Sequence, residues 1–139
     1  MRVAPVILAA ALVVAASPLA AQDAPSRPDS LALARKYVAW FYDAQTDSLW
    51  AHTSEGMRQD VKSADWWRER YDFVAMRAGS ETEVIEERFR MRNGRPQYWR
   101  TARFSDFDQP LLVRFVLDDA GLIAGLGLGP ASQAPPTDD

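Results

Sequence analysis

Cysteine is absent from all 139 residues, which excludes disulfides, thiolate metal sites, a cysteine nucleophile and lipid attachment through sulfur. Histidine occurs once, at His52, so a metal centre would have to be built almost wholly from carboxylates, and neither a metal nor a cofactor is expected. There is no Gly-x-Ser-x-Gly elbow, so His52 has no serine nucleophile to serve. Lysine is confined to Lys36 and Lys62, and the net charge is −3. A mildly acidic chain lacks the clustered positive charge that phosphate neutralisation needs, which argues against nucleic acid as a partner. Gly125-Leu-Gly-Leu-Gly fails as a dinucleotide loop, because Pro130 and a polar tail follow it instead of a helix.

What is present begins with a targeting signal. Met1-Arg2 is a short positive start, Val3 to Ala16 is apolar, and Ser17-Pro-Leu-Ala-Ala21 offers small residues for cleavage. This pattern predicts a secretory signal peptide over residues 1–21, cut after Ala21, and hence a secreted or periplasmic protein. The alternative is an uncleaved anchor, but the apolar run is short for a span and Gln22 to Ser30 is polar. No stable membrane insertion is expected after cleavage. With disulfides excluded, the mature chain must rely on a hydrophobic core, for which five Trp, six Phe and four Tyr supply large buried areas. The stretch from Asp29 to Pro130 suffices for one domain, preceded by a flexible leader over residues 22–28 and followed by a disordered tail over 131–139.

The domain divides into helices and then strands. Asp29 or Ser30 caps a first helix, in which Leu31, Ala34, Val38 and Phe41 recur at helical spacing as far as about Ala44. Thr46 or Asp47 starts a second, shorter piece through Leu49 and Trp50, ending before Gly56. Ser63 caps a third, with Trp67, Tyr71 and Val74 on one stripe and Gly79 at its left-handed end. From Glu81 onward the period changes to two. Asn93-Gly94 is a type I′ hairpin signal, and Asp118-Asp-Ala-Gly121 supplies another turn. A two-residue turn at Asn93-Gly94 sets Arg92 opposite Arg95. One face then holds Met91/Pro96, Phe89/Tyr98, Glu87/Arg100 and Ile85/Ala102, and the other holds Arg90/Gln97, Arg88/Trp99, Glu86/Thr101 and Val84/Arg103. Alternation makes the first set the core face, continued by Leu111, Val113, Phe115 and Leu117. Ile123 to Leu128 forms the last strand. Three helices on one face of a four-stranded antiparallel sheet is an α+β roll.

The segment Val113-Arg-Phe-Val-Leu-Asp-Asp-Ala-Gly-Leu-Ile-Ala-Gly-Leu, followed by Pro130, resembles the closing hairpin of small exported NTF2-like (cystatin-like roll) domains, most similarly those of the DUF3887 type. The resemblance covers about residues 29 to 130 and rests on turn and strand patterns. It implies a conical roll whose open end forms a pocket. It leaves function open, since such rolls include isomerases, dehydratases and many binding modules, and DUF3887-type domains often precede a hydrolase domain.

Two constellations follow. Glu87 and Arg100 face each other on the otherwise apolar face, either as a cross-strand ion pair near the rim or, with Tyr98 and Tyr37, as pocket residues that grip a polar ligand. The resemblance also implies an isomerase-like or dehydratase-like alternative, with Glu87 as acid/base and a tyrosine donor, though the facing Arg100 would weaken Glu87 as a base. No catalytic residue is assigned. On the outer face, Arg88, Arg90, Trp99 and Arg103 combine charge with a large aromatic, which is either a solvated surface or a contact surface for a homodimer or protein partner. His52 is expected as a partly buried helix-end residue, the alternative being proton transfer with Asp43 or Glu55. The reading that follows is an exported non-catalytic module binding a partner or small ligand.

Overall fold

The computed structural model describes residues 29–134; the expected signal peptide and leader, and the last five residues of the expected tail, lie outside the described residues. The described residues are α+β, with four α-helices leading into a four-stranded antiparallel sheet of order β1-β2-β3-β4. The helices are α1 (Ser30–Tyr42), α2 (Thr46–Ala51), α3 (Glu55–Val61) and α4 (Asp65–Ala78). The strands are β1 (Glu81–Arg92), β2 (Arg95–Phe104), β3 (Phe107–Leu117) and β4 (Ile123–Pro130). No helix among the described residues is long and apolar enough to cross a membrane.

Local chemistry sets the helix boundaries. The Asp29 carboxylate accepts from the Leu31 and Ala32 amides at 3.1 and 3.2 Å, satisfying two of the free donors at the start of α1. Ala34, Tyr37, Val38 and Phe41 are its buried stripe. The expectation of three helices is corrected to four. Ser54 caps the additional α3 by accepting from the Met57 amide at 3.3 Å, and Lys62 ends it in the left-handed conformation (φ 69°). Gly56 does not break this helix, because it lies in the first turn and not in the interior, where glycine's conformational freedom costs most.

Glycine is required where α4 meets β1. Gly79 has φ 76°, and a Cβ there would sit 2.2 Å from Ser105 Oγ. The close approach lets the β2–β3 turn bond to the corner, Asp106 N donating to Ala78 O at 3.0 Å and Ser105 N to Ser80 O at 2.8 Å. The turns at Asn93-Gly94 and Asp118–Gly121 form as expected, the second closed by Asp118 Oδ1 accepting from the amides of Ala120 and Leu122.

The β1–β2 register matches expectation from Arg92↔Arg95 through Glu86↔Thr101. It then departs. A bulge between Val84 and Glu86 places Val84, not Ile85, opposite Ala102, and Glu83 opposite Arg103. A second irregularity before Glu83 leaves Glu81 opposite Phe104. Tyr98, Ala102, Val113, Phe115, Leu117 and Ile123 are buried beneath the helices. Trp67 stacks on Phe115 with ring centroids 6.2 Å apart and packs edge-on against Phe41. The buried Trp67 Nε1–H donates to Thr53 Oγ1, which itself donates to Leu49 O. Thr53 and Ser54 run beside Ile123, whose carbonyl accepts from Ser54 N and whose amide donates to His52 O. The α2–α3 link thereby stitches the helical layer to β4. The last strand reaches Pro130, two residues beyond expectation, and Ala131–Gln133 form a 3-10 turn where a disordered tail is expected.

Candidate functional site

Glu87 is held from three directions. Arg35, on α1, donates Nη2–H to Oε2 at 3.1 Å and Nε–H to Oε1 at 3.3 Å. The Tyr98 hydroxyl donates a short bond to Oε1, and Arg100 Nη1 lies 3.7 Å from the same oxygen. The bonds from Arg35, then that from Tyr98, hold the Glu87 carboxyl below the usual carboxylate range, against the opposing effect of partial burial.

Arg100 is opposite Glu87 in the register, as expected, but its principal partner is Glu81. Arg100 Nε–H donates to Glu81 Oε2 at 3.0 Å and Nη2–H bonds to Oε1, a two-point grip. Burial alone would lower the Arg100 pKa; the bonds to Glu81 and Tyr98 outweigh it, and the net direction is upward. Tyr98 donates to Glu87 and accepts from Arg100 Nη1 at 3.5 Å. Burial pushes its phenol up to about 12. The Tyr42 hydroxyl is buried with no hydrogen-bond partner among the described residues, and burial, followed by the nearby Glu81 charge, pushes it up as well.

Three of the four expected pocket residues therefore meet, Glu87, Arg100 and Tyr98. Tyr37 does not join them. It is buried against Trp40, His52 and Phe115 and donates to the Gly121 carbonyl at 2.6 Å. Its place is to tie α1 to the β3–β4 turn. Nothing in the sequence singles out Arg35 or Glu81, and Tyr42 enters there only as one of four tyrosines available as a donor, with Tyr37, Tyr71 and Tyr98. Simple alternation from Glu87 does put Glu81 on the same face, and this was the available signal; nothing local pointed to Arg35, which is 52 residues from Glu87.

On the outer face Arg88 pairs with Glu86, at 2.7 Å from Nε to Oε1, and Arg103 with Glu83 at 3.5 Å. Glu86 also feels Arg90. Trp99 does not stand out as an exposed anchor. It is only 7% exposed, covered by the guanidinium groups of Arg92 and Arg114 at 5.7 and 5.2 Å from its ring. Its Nε1–H is buried without a hydrogen-bond partner among the described residues. His52 caps the end of α2, with Nδ1 at 2.9 Å from Ser48 O and its ring 4.9 Å from that of Trp40. No group of three or more His, Asp or Glu is placed to hold a metal among the described residues.

A separate groove of about 420 Å³ opens between α4 and the ends of β2, β3 and β4. Its walls are almost wholly apolar, formed by Val74, Ala78, Phe104, Leu111, Val113 and Leu128, with Phe73 and Phe107 at the rim. Comparisons with known protein families, with curated proteins and with solved structures found no match to this chain.

Proposed function

We propose that this protein is an exported, non-catalytic module built on an NTF2-like roll, which binds a small ligand or a protein partner. The observation that carries the reading is the state of Glu87. A general base must be poised near the working pH and have an acceptor lone pair facing substrate. Glu87 is instead engaged by Arg35 and Tyr98 and shifted toward a weaker base. Phe41, Trp67 and Phe115 are buried and pack ring against ring in the core, which leaves less room for a reaction chamber there. The roll is supported by helices leading into an antiparallel sheet whose β1–β2 pairing is broken by two register shifts, the kind of irregularity that bends a strand. Export is supported by the residue pattern of Met1 to Ala21.

Carbon-detected NMR titration of the Glu87 carboxyl tests this reading. A midpoint below about 4.3, the ordinary glutamate value, is expected. A midpoint near neutrality would restore Glu87 as an acid/base and overturn the non-catalytic reading. N-terminal sequencing of protein exported by a bacterial host should give Gln22; retention of Met1–Ala21 in membranes would replace the secreted form by an anchored one.

A further inference from the structure

We propose that the groove between α4 and the strand ends takes a hydrophobic monocarboxylate free in solution, an inference that rests on the binding-module reading and names its ligand class. A volume of about 420 Å³ lies within the range of roughly 300–1,000 Å³ typical of small-molecule sites. Phe73 and Phe107 at the rim are 50% and 44% exposed, and the hollow beside them is lined by apolar side chains. Large aromatic groups left in water around an apolar hollow mark a contact surface.

Charge selects the ligand's head. Arg77 is the sole charged residue lining the groove. Its guanidinium lies over the Phe73 ring at 5.1 Å, and no carboxylate among the described residues pairs with it. A guanidinium fork resting over an aromatic ring keeps its N–H donors free to receive a carboxylate through two parallel bonds. The walls select the body. Pro110 and Pro130 both line the groove, and neither has an amide hydrogen to offer. A peptide laid there would leave backbone acceptors without donors, whereas a hydrocarbon chain has none to satisfy. Asp106, in the β2–β3 turn, and Asp108, on β3, are near in sequence but do not line the groove, so the sign of the head group is itself a test.

The secreted protein is titrated with octanoate, decanoate and dodecanoate below their micelle-forming concentrations, by calorimetry and by amide chemical shifts. Each two-carbon extension should tighten binding about tenfold until the groove is full. Shifts should concentrate on residues 73–79, 107–113 and 128–130. Dodecyltrimethylammonium should bind more weakly than dodecanoate. Arg77→Gln should weaken dodecanoate about two- to fivefold, the range of an exposed ion pair, and Phe73→Ser should weaken it further, with circular dichroism unchanged for both. The shift map on the unaltered protein decides the case if a variant misfolds. Binding without chain-length dependence, equal binding of the cationic amphiphile, shifts centred elsewhere, or binding only to phospholipid vesicles would each overturn the proposal. A dimer in sedimentation that Phe107→Ser dissolves would assign the groove to a second copy and also overturn it. If the carboxylates fail while Glu87 titrates low, the ligand class falls and the module reading stands. If Glu87 titrates near neutrality, that reading falls whatever the groove binds.

Discussion

Replacing Arg100 with Met should separate the two carboxylates that the arginine serves. Its side chain and that of Glu81 are 19% and 14% exposed, and they share two hydrogen bonds. Removing one partner of a buried pair costs about 3–5 kcal/mol, because the other charge is left without compensation. Since some of each side chain still meets water, the lower end applies, about 3 kcal/mol of unfolding free energy. Glu87 lies 3.7 Å from Arg100 and keeps Arg35 and Tyr98 when the arginine is gone. Its coupling to Arg100 should therefore stay below about 1 kcal/mol, while that between Glu81 and Arg100 should reach about 2 kcal/mol. Urea unfolding of Arg100→Met, Glu81→Gln, Glu87→Gln and the two double variants measures both couplings. A Glu87–Arg100 coupling larger than the Glu81–Arg100 coupling would refute this geometry and favour direct cross-strand pairing.

Other perturbations test separate parts of the molecule. Trp99→Phe keeps a ring between Arg92 and Arg114 and removes a buried unpaired N–H, so it should change stability by less than about 1 kcal/mol. Trp99→Ala should cost about 3 kcal/mol, and equal losses in urea unfolding would show that the indole N–H is paired. The lowered Glu87 pKa means that its contribution is fully present above the unfolded value of about 4.3 and is lost as pH falls through the folded value. Glu87→Gln should therefore flatten the acid limb of a stability–pH curve; an unchanged limb would contradict the shift. Tyr98 titrates the other way. Its contribution is present below about 10 and lost as pH rises toward about 12, which ultraviolet difference titration against Tyr98→Phe should show. Gly79→Ala should cost at least about 1–3 kcal/mol, since it adds both strain at φ 76° and a clash with Ser105; a neutral thermal midpoint would mean the corner is looser than described.

The hairpin was legible because its turn chemistry is local. Asn93-Gly94 sets the pairing, and that pairing holds for seven successive residue pairs, from Arg92↔Arg95 to Glu86↔Thr101. It fails at Ile85, where the strand bulges, and the two-residue period contains no sign of an extra residue. The second helical piece does end before Gly56, as expected, but Gly56 itself sits in the first turn of a further helix, α3, that no spacing pattern announces. The Glu87–Arg100 juxtaposition was legible from alternation, but the choice of partner was not. That choice depends on Arg35 reaching across from α1 and on Glu81 returning to the core face after two irregularities. Trp99 shows a related limit. Alternation sets it opposite Arg88, but its cover comes from Arg92 and Arg114, and side-chain reach leaves no periodic trace.

The bulge in β1 bears on how the protein behaves when crowded. Among the described residues β1 has a sheet neighbour on one side only, and it runs for 12 residues. A free edge of that length is a template on which another chain can add, the first step toward fibrils. Acidic residues at Glu81, Glu83, Glu86 and Glu87 occupy one half of this edge and basic residues at Arg88, Arg90 and Arg92 the other. The uncharged pair Val84-Ile85 is the stretch best suited to recruit a stranger, and both residues are exposed. The ladder is broken at that very place, so an incoming strand would find the hydrogen-bonding groups out of step where the side chains are most inviting. Straightening the bulge by deleting Ile85 would give the edge a regular comb of donors and acceptors, and the protein's solubility at high concentration would then rest on its charges alone.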